Sequence, residues 1–136
     1  MWADKLYNLK FVPRELNLDQ RIAWINKRAT DGDVAIELHM NSGWGTGVEV
    51  FAHANSSYAL KKAWEFSSIM AVNLRINNRW GKADNTSQHK TWLGFIRNTK
   101  PLAFLVELWF LDNANDRDQV WLNGALAIKT AIWAIL

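Results

Sequence analysis

Two residues, His39 and Glu107, offer the clearest case for chemistry in this sequence. His39 closes the run VAIELHM, residues 34–40, in which apolar side chains alternate with Ala35, Glu37 and His39, a pattern typical of a strand. Glu107 is the only charged residue in PLAFLVELWFL, residues 101–111. Such an apolar run is typical of a central strand covered on both faces. A carboxylate there is costly to bury unless it is paired, protonated or close to a metal, so Glu107 is the strongest candidate for a functional role.

His39 and Glu107 together give stronger evidence for a functional site than either residue gives alone. If both strands belong to one parallel sheet, each delivers a polar group near its carboxyl end, which is where α/β folds build sites. A neutral imidazole on a metal, with a carboxylate nearby as base, is a common hydrolytic arrangement. The structural alternatives are a salt bridge from Glu107 to an arginine such as Arg97, and a histidine at position 39 that only satisfies local hydrogen bonds.

The elements that position these residues alternate between helix and strand. Apolar spacing predicts a helix over 18–29 with Asn17 as its N-cap, strands over 34–40 and 48–52, a helix over 57–75, a polar loop over 76–91, a strand over 101–111 and a last helix from about 116 to 135. This order predicts an α/β fold, a three-layer α/β/α sandwich around a mostly parallel sheet. We expect residues 1–136 to form a single domain.

Composition narrows the class of protein. Hydrophobic residues make up 49% and charged residues 21% of 136 residues, as in one globular domain with a core. The chain has no cysteine, which excludes disulfides, thiolate metal sites and a cysteine nucleophile. No window approaches the ~18 apolar residues of a membrane span, and we expect neither a membrane partner nor an export signal. The net charge of +3 comes from scattered basic residues, so we expect no nucleic-acid partner.

Tryptophan is unusually frequent, with nine in the chain. Several fall at helix positions that a core would use, such as Trp24 and Trp64. We therefore predict that most tryptophans pack internally, and that Trp44 or Trp80, which stand beside glycines, stacks on a ligand.

Three segments resemble one family, the zinc-dependent N-acetylmuramoyl-L-alanine amidases of type 3. LDQRIAWINKRATDGDVAIELHMNSG, residues 18–43, resembles the family's Arg-bearing helix followed by a strand that closes in a Ser-Ile-His-Ala-Asn type motif. GTGVEVF, residues 45–51, resembles its Gly-Val-Glu-Val-aromatic strand. Residues 77–120 resemble its Arg-Gly loop, its Leu-Gly-Phe-Leu-Arg segment and its Leu-Val-Glu-x-Gly-Phe-x-x-Asn strand. The segments follow the family's order from about residue 10 to the C-terminus.

The resemblance implies roles for both candidates. His39 takes the position of a zinc-ligating histidine, and Glu107 that of the catalytic glutamate. The implied cofactor is zinc and the implied partner is peptidoglycan. The implied reaction is hydrolysis of the amide between the lactyl group of N-acetylmuramic acid and L-alanine of the stem peptide. The implied place of action is the cell wall, as for an autolysin or a phage lysin.

The sequence also departs from the family. No Gly-His-Gly-Gly motif and no matching helix glutamate precede His39, so we expect an N-terminally shortened domain without the family's first strand and most of its first helix. One zinc ligand then remains, and the chain is expected to be inactive alone or to be a non-catalytic relative that binds peptidoglycan. Glu37, His53 and His89 are the alternative ligands. The sheet edge left exposed favours self-association.

Overall fold

The computed structural model describes residues 9–86 and 92–136 as an α/β fold. The elements are α1 (Leu18–Arg28), β1 (Val34–Asn41), β2 (Val48–Ala52), α2 (Ser57–Leu74), β3 (Asn78–Ala83), a 3₁₀ turn (Asp84–Thr86), α3 (Gly94–Asn98), β4 (Leu102–Phe110) and α4 (Ala114–Ile135). Within these residues, no helix is long and apolar enough to cross a bilayer.

The four strands form one mixed sheet in the order β1-β4-β2-β3. The pairs β1 with β4 and β2 with β3 are parallel, and β2 with β4 is antiparallel. The carboxyl ends of β1 and β4 therefore lie at the same end of the sheet as the amino ends of β2 and β3. In the described part of the chain, β1 and β3 are the outer strands, and self-association along an edge stays a prediction.

Helices cover both faces of the sheet, which confirms the three-layer prediction. On one face α2 and α4 pack over the larger core, whose largest fully buried side chains include Phe66, Met70, Leu74 and Phe104. On the other face α1 and α3 enclose a smaller core: Ile22, Ala35, Phe51, Phe95, Ile96, Ala103 and Leu105. The smaller core ends below His39 and Glu107, and the His39 side chain at this end is close to half exposed.

Helix starts follow from their capping residues. Asn17 is the N-cap of α1, as the sequence predicts, and it forms a capping box with Gln20, because each side chain accepts the other's backbone N–H. Ser56 caps α2. Asn113 accepts the N–H of Asp116, so α4 begins at residue 114, two positions earlier than predicted.

The prediction of a polar loop over 76–91 is wrong for most of that range. Residues 78–83 form β3, the 3₁₀ turn follows, and residues 87–91 lie outside the described part. The strand lacks an alternating apolar pattern because Arg79 and Lys82 point to a buried carboxylate, while Gly81 lies against the backbone of α2. The five-residue helix α3 was also missed, since it is too short for a periodic pattern.

The prediction that most tryptophans pack internally is also wrong. Of the eight in the described residues, none is fully buried, and the exposed ones are Trp44, Trp64, Trp80, Trp92 and Trp121. Small side chains such as Ala59, Ala63, Ala127 and Ala131 occupy the close contacts between the sheet and the helices α2 and α4. An indole is too large for those positions, so it lies at the surface.

Candidate active site

A row of three polar side chains crosses the sheet on the face of α1. His39 in β1 is directly opposite Glu107 in β4, and Glu107 is directly opposite Glu49 in β2. Residues opposite each other on neighbouring strands project to the same face. The two strands predicted to meet at their carboxyl ends are therefore adjacent, and the predicted site residues lie side by side.

The outer end of the row is a small cluster around His39. The His39 Nε2 lies 3.4 Å from Oε1 of Glu37, and Arg21 Nη1 lies 3.9 Å from the same oxygen. The hydrogen bond with the Glu37 carboxylate raises the pKa of His39 above its ordinary value, while partial burial opposes that rise. Glu37 thus orients the imidazole, whose ring stays close to half exposed and accessible to a substrate.

The inner end of the row is Glu49, which was not singled out from the sequence. Glu49 is buried and accepts hydrogen bonds from Asn41 Nδ2 at 2.9 Å, Arg79 Nε at 3.1 Å and Lys82 Nζ at 2.5 Å. A lone carboxylate in the short apolar strand VEVFA is the same pattern that marked Glu107, and it would have identified this residue.

The predicted alternatives that involve Arg97 and His53 are wrong. Arg97 forms a bidentate pair with the buried Asp84, through Nε–Oδ2 at 2.5 Å and Nη2–Oδ1 at 2.9 Å, at the opposite end of the sheet from Glu107. His53 joins this pair, with Nε2 3.1 Å from Arg97 Nη1, so it is neither a partner of His39 nor a solvated surface residue. His89 lies outside the described residues.

The described residues offer too few ligands for a catalytic zinc ion. A catalytic zinc ion is normally held by three protein ligands. His39 is the one imidazole in the row, and residues 9–86 and 92–136 contain no group of three or more His, Cys, Asp or Glu side chains placed to hold a metal ion. The described residues therefore do not fit a complete catalytic zinc site, and no reaction step is assigned to a metal.

The loop after β1 is tied to the start of α4 beside this row. Asp112 Oδ2 accepts the N–H groups of Gly43 and Trp44, at 3.0 and 2.7 Å. The buried Asp116 accepts Thr46 Oγ1–H and Gly47 N–H, both at 2.7 Å. The loop thus holds Trp44 in a left-handed conformation, φ 60°, with its side chain 88% exposed. A large exposed ring on an anchored loop fits the predicted role of Trp44 in ligand stacking.

The anchor of this loop has a testable pH dependence. The N–H of Trp44 and then that of Gly43 lower the pKa of Asp112 below its ordinary value of 3.8. A lowered pKa in the folded state stabilises the loop above pH 3.8, and this contribution is lost as the pH falls through the lowered value. We expect hydrogen exchange of both amides, measured by NMR and corrected for intrinsic rates, to lose protection in that acid range. In Asp112→Ala the protection should be weak at every pH, whereas Asp118→Ala should behave as wild type.

The chain is similar to known proteins in both sequence and structure. Residues 6–132 match the sequence profile described as N-acetylmuramoyl-L-alanine amidase. The catalytic domain of the CD27L endolysin targeting Clostridia difficile is similar, with 28% identity, a TM-score of 0.68, and coverage of 84% of this chain and 58% of that one. Cwp6 from Clostridium difficile has 28% identity and a TM-score of 0.66, over 85% of this chain and 18% of that one.

A third structure supports the fold alone. The N-acetylmuramoyl-L-alanine amidase from Clostridium difficile 630 is 20% identical, with a TM-score of 0.70 over 98% of this chain and 76% of that one. No curated protein sequence matches the chain. The chain spans less than two thirds of the CD27L catalytic domain and a fifth or less of Cwp6.

Proposed function

Because this chain belongs to the N-acetylmuramoyl-L-alanine amidase family, we propose that it acts on peptidoglycan in the cell wall and hydrolyses the amide between the muramoyl lactyl group and L-alanine. The observation that carries the proposal is the register of His39 against Glu107 on neighbouring parallel strands, near their carboxyl ends. Two groups suited to hydrolysis thus lie side by side on one face of the sheet, near the carboxyl ends of their strands.

Glu107 is the proposed general base. It accepts a proton from the attacking water and transfers it to the nitrogen of the departing L-alanine amine, so the proton count balances over the reaction. Glu107 is partly buried and is directly opposite His39, whose ring is close to half exposed, so the two groups can act on the same substrate. Zinc is the cofactor implied by the family resemblance, with His39 as the proposed ligand.

Arg21 and Glu37 are proposed as positioning residues. Arg21 Nη1 lies near Glu37, which in turn holds the His39 ring, and Arg21 also donates from Nε to the backbone oxygen of Leu16 at 2.7 Å. This chain of contacts ties the orientation of His39 to the start of α1. Neither residue is assigned a proton-transfer step.

The product of digestion tests the proposal. Purified peptidoglycan is incubated with the 136-residue chain, with and without added Zn²⁺, and new amino termini and new reducing sugar ends are counted. We expect new L-alanine amino termini and no increase in reducing ends, a result that would overturn the expectation from sequence that the chain alone is inactive. New reducing ends would indicate cleavage of the glycan and contradict the proposal.

A second candidate function is peptidoglycan binding without cleavage. It is favoured by the donor set of the described residues, which falls short of three zinc ligands, and by the exposed Trp44 on its anchored loop. Binding to sedimented peptidoglycan without release of amino termini would support this alternative over hydrolysis.

Trp44 gives a prediction common to both candidates. We expect Trp44→Ala to weaken binding to sedimented peptidoglycan about 3- to 10-fold, because one aromatic stacking contact contributes roughly 1 kcal/mol. Trp121→Ala is the matched control, since Trp121 is equally exposed, at 89%, but lies on α4. Equal affinities for the two variants would show that Trp44 does not contact the wall.

A further inference from the structure

An irregular pairing between β2 and β3 places two cations on one carboxylate. Val48 pairs with Asn78 and Val50 pairs with Gly81, so Glu49 faces two residues of β3, Arg79 and Trp80, where a regular strand would offer one. In a regular strand, positions 79 and 82 project to opposite faces. The extra residue changes that alternation, and Arg79 and Lys82 both reach Glu49.

The bulge is held in place by α2. Trp80 has φ 72°, a left-handed conformation that is unusual for a bulky residue. Its ring stacks on that of Trp64, with centroids 4.7 Å apart and planes 16° apart. A Cβ on Gly81 would lie 2.4 Å from the backbone nitrogen of Trp64, so the strand runs directly against the helix. The positions of the two cations are therefore set by packing on the far side of the sheet.

Glu49 is much more buried than the two cations that contact it, Arg79 and Lys82. The Glu49 side chain is 5% exposed, whereas those of Arg79 and Lys82 are 30% and 34% exposed. Arg79 and Lys82 both contact the single carboxylate of Glu49, and both lie closer to solvent than that carboxylate does. Within the described residues, the Nη groups of Arg79 make no hydrogen bond to protein, and Lys82 uses only its contact with Glu49. Both cations therefore retain donors for a further anion.

The distance of Arg79 and Lys82 from the proposed base, Glu107, matches the length of the first residues of the leaving peptide. Glu49 is directly opposite Glu107, and the charged groups of Arg79 and Lys82 contact the Glu49 carboxylate, so they lie roughly 5 to 10 Å across the sheet from Glu107, one to two strand spacings of ~4.8 Å. The leaving group of the proposed reaction is a peptide that starts at L-alanine, and a carboxylate on its second residue would reach the two cations. An extended peptide spans about 7 Å in two residues.

From these observations we propose that Arg79 and Lys82 form a subsite that binds a carboxylate of the stem peptide on the leaving-group side of the amide. The inference rests on the proposed function and adds to it an orientation of the substrate. The stem peptide lies over β2 and β3, and the muramoyl group lies toward β1 and the loop that carries Trp44.

Peptide binding tests the subsite without any turnover. The probes are a synthetic tripeptide that begins L-alanyl-D-glutamate, with its free carboxylate, and the same peptide with that carboxylate amidated. Calorimetry on the wild-type chain at low salt should show at least ~10-fold tighter binding of the acid. Lys82→Met should remove most of that preference, while Lys61→Met, which removes an exposed lysine from α2, should retain it. Equal binding of acid and amide by the wild type, or an unchanged preference in Lys82→Met, would overturn the inference.

A second variant covers the case in which Lys82→Met fails to fold because Glu49 loses a partner. Glu49→Gln combined with Lys82→Met removes one charge of each sign and keeps Arg79, and it should also bind acid and amide about equally. A preference retained in this folded double variant would count against the subsite. Since none of these measurements uses hydrolysis, an acid preference without amide cleavage would contradict the proposed reaction and leave the subsite standing.

Discussion

Glu107→Gln is expected to lower the rate of amide hydrolysis at least about 100-fold, because glutamine keeps the shape of the side chain but accepts no proton from water. General base catalysis by a positioned side chain typically contributes roughly 10²- to 10⁴-fold. The neighbouring partners across the sheet, His39 and Glu49, are untouched by this change. Peptidoglycan binding and the melting temperature should therefore stay close to the wild-type values.

The measurement is the initial rate of release of L-alanine amino termini, beside the fraction of chain bound to sedimented peptidoglycan. Glu65→Gln is the matched control, because Glu65 lies on α2 and pairs with Lys62 at 3.3 Å, away from the polar row. Hydrolysis by Glu107→Gln at more than a tenth of the wild-type rate would remove Glu107 from the role of base. Equal loss in both variants would point to a general effect of charge.

Asp84→Ala is expected to lower the free energy of unfolding by about 3 to 5 kcal/mol, the usual cost of breaking a buried ion pair from one side. Asp84 is fully buried, accepts two hydrogen bonds from Arg97, and also accepts the N–H of Ala54 at 2.9 Å. Its removal leaves a largely buried guanidinium with only His53 and the Trp92 ring, 4.9 Å away, as described contacts. The end of the sheet opposite the polar row should lose most of its stability.

Urea unfolding followed by far-UV circular dichroism measures this change. Asp118→Ala, which removes an exposed carboxylate from α4, should shift the free energy of unfolding by less than about 1 kcal/mol. The double variant Asp84→Ala with Arg97→Met should be less destabilised than the sum of its single variants, since no buried charge is then left without its partner. Strict additivity would show that the pair does not stabilise the fold as a unit.

Local sequence patterns were sufficient for most of the fold. The strand of residues 101–111 was predicted to be central from its unbroken apolar run, and β4 is flanked by β1 and β2. The helix capped by Asn17 was predicted from a side chain that bonds its own neighbours. These features can be predicted from a few consecutive residues, because capping and the alternation of apolar side chains are local properties.

The missed features depend on partners far along the chain. The strand β3 has no apolar pattern of its own, and two of its side chains, Arg79 and Lys82, pair with Glu49, some 30 residues earlier. The tryptophans were assigned to the core from helical spacing, yet packing of small residues between sheet and helices leaves no room for them. Likewise, Asp84 and not Glu107 is the partner of Arg97, which spacing along the chain does not reveal.

The sequence by itself determined the three-layer class and most of the alternation of helices and strands, because residue type and short-range spacing encode them. The family came from the resemblance of its ordered motifs, and His39 and Glu107 stay the proposed site residues. Only the tertiary structure decided that the two candidates are directly opposite each other, that Glu49 extends the row, and that a bulge at Trp80 brings two cations beside it. The physical reason is that strand register and buried charge pairing arise from contacts between segments tens of residues apart, which form only when the sheet closes and its helices pack.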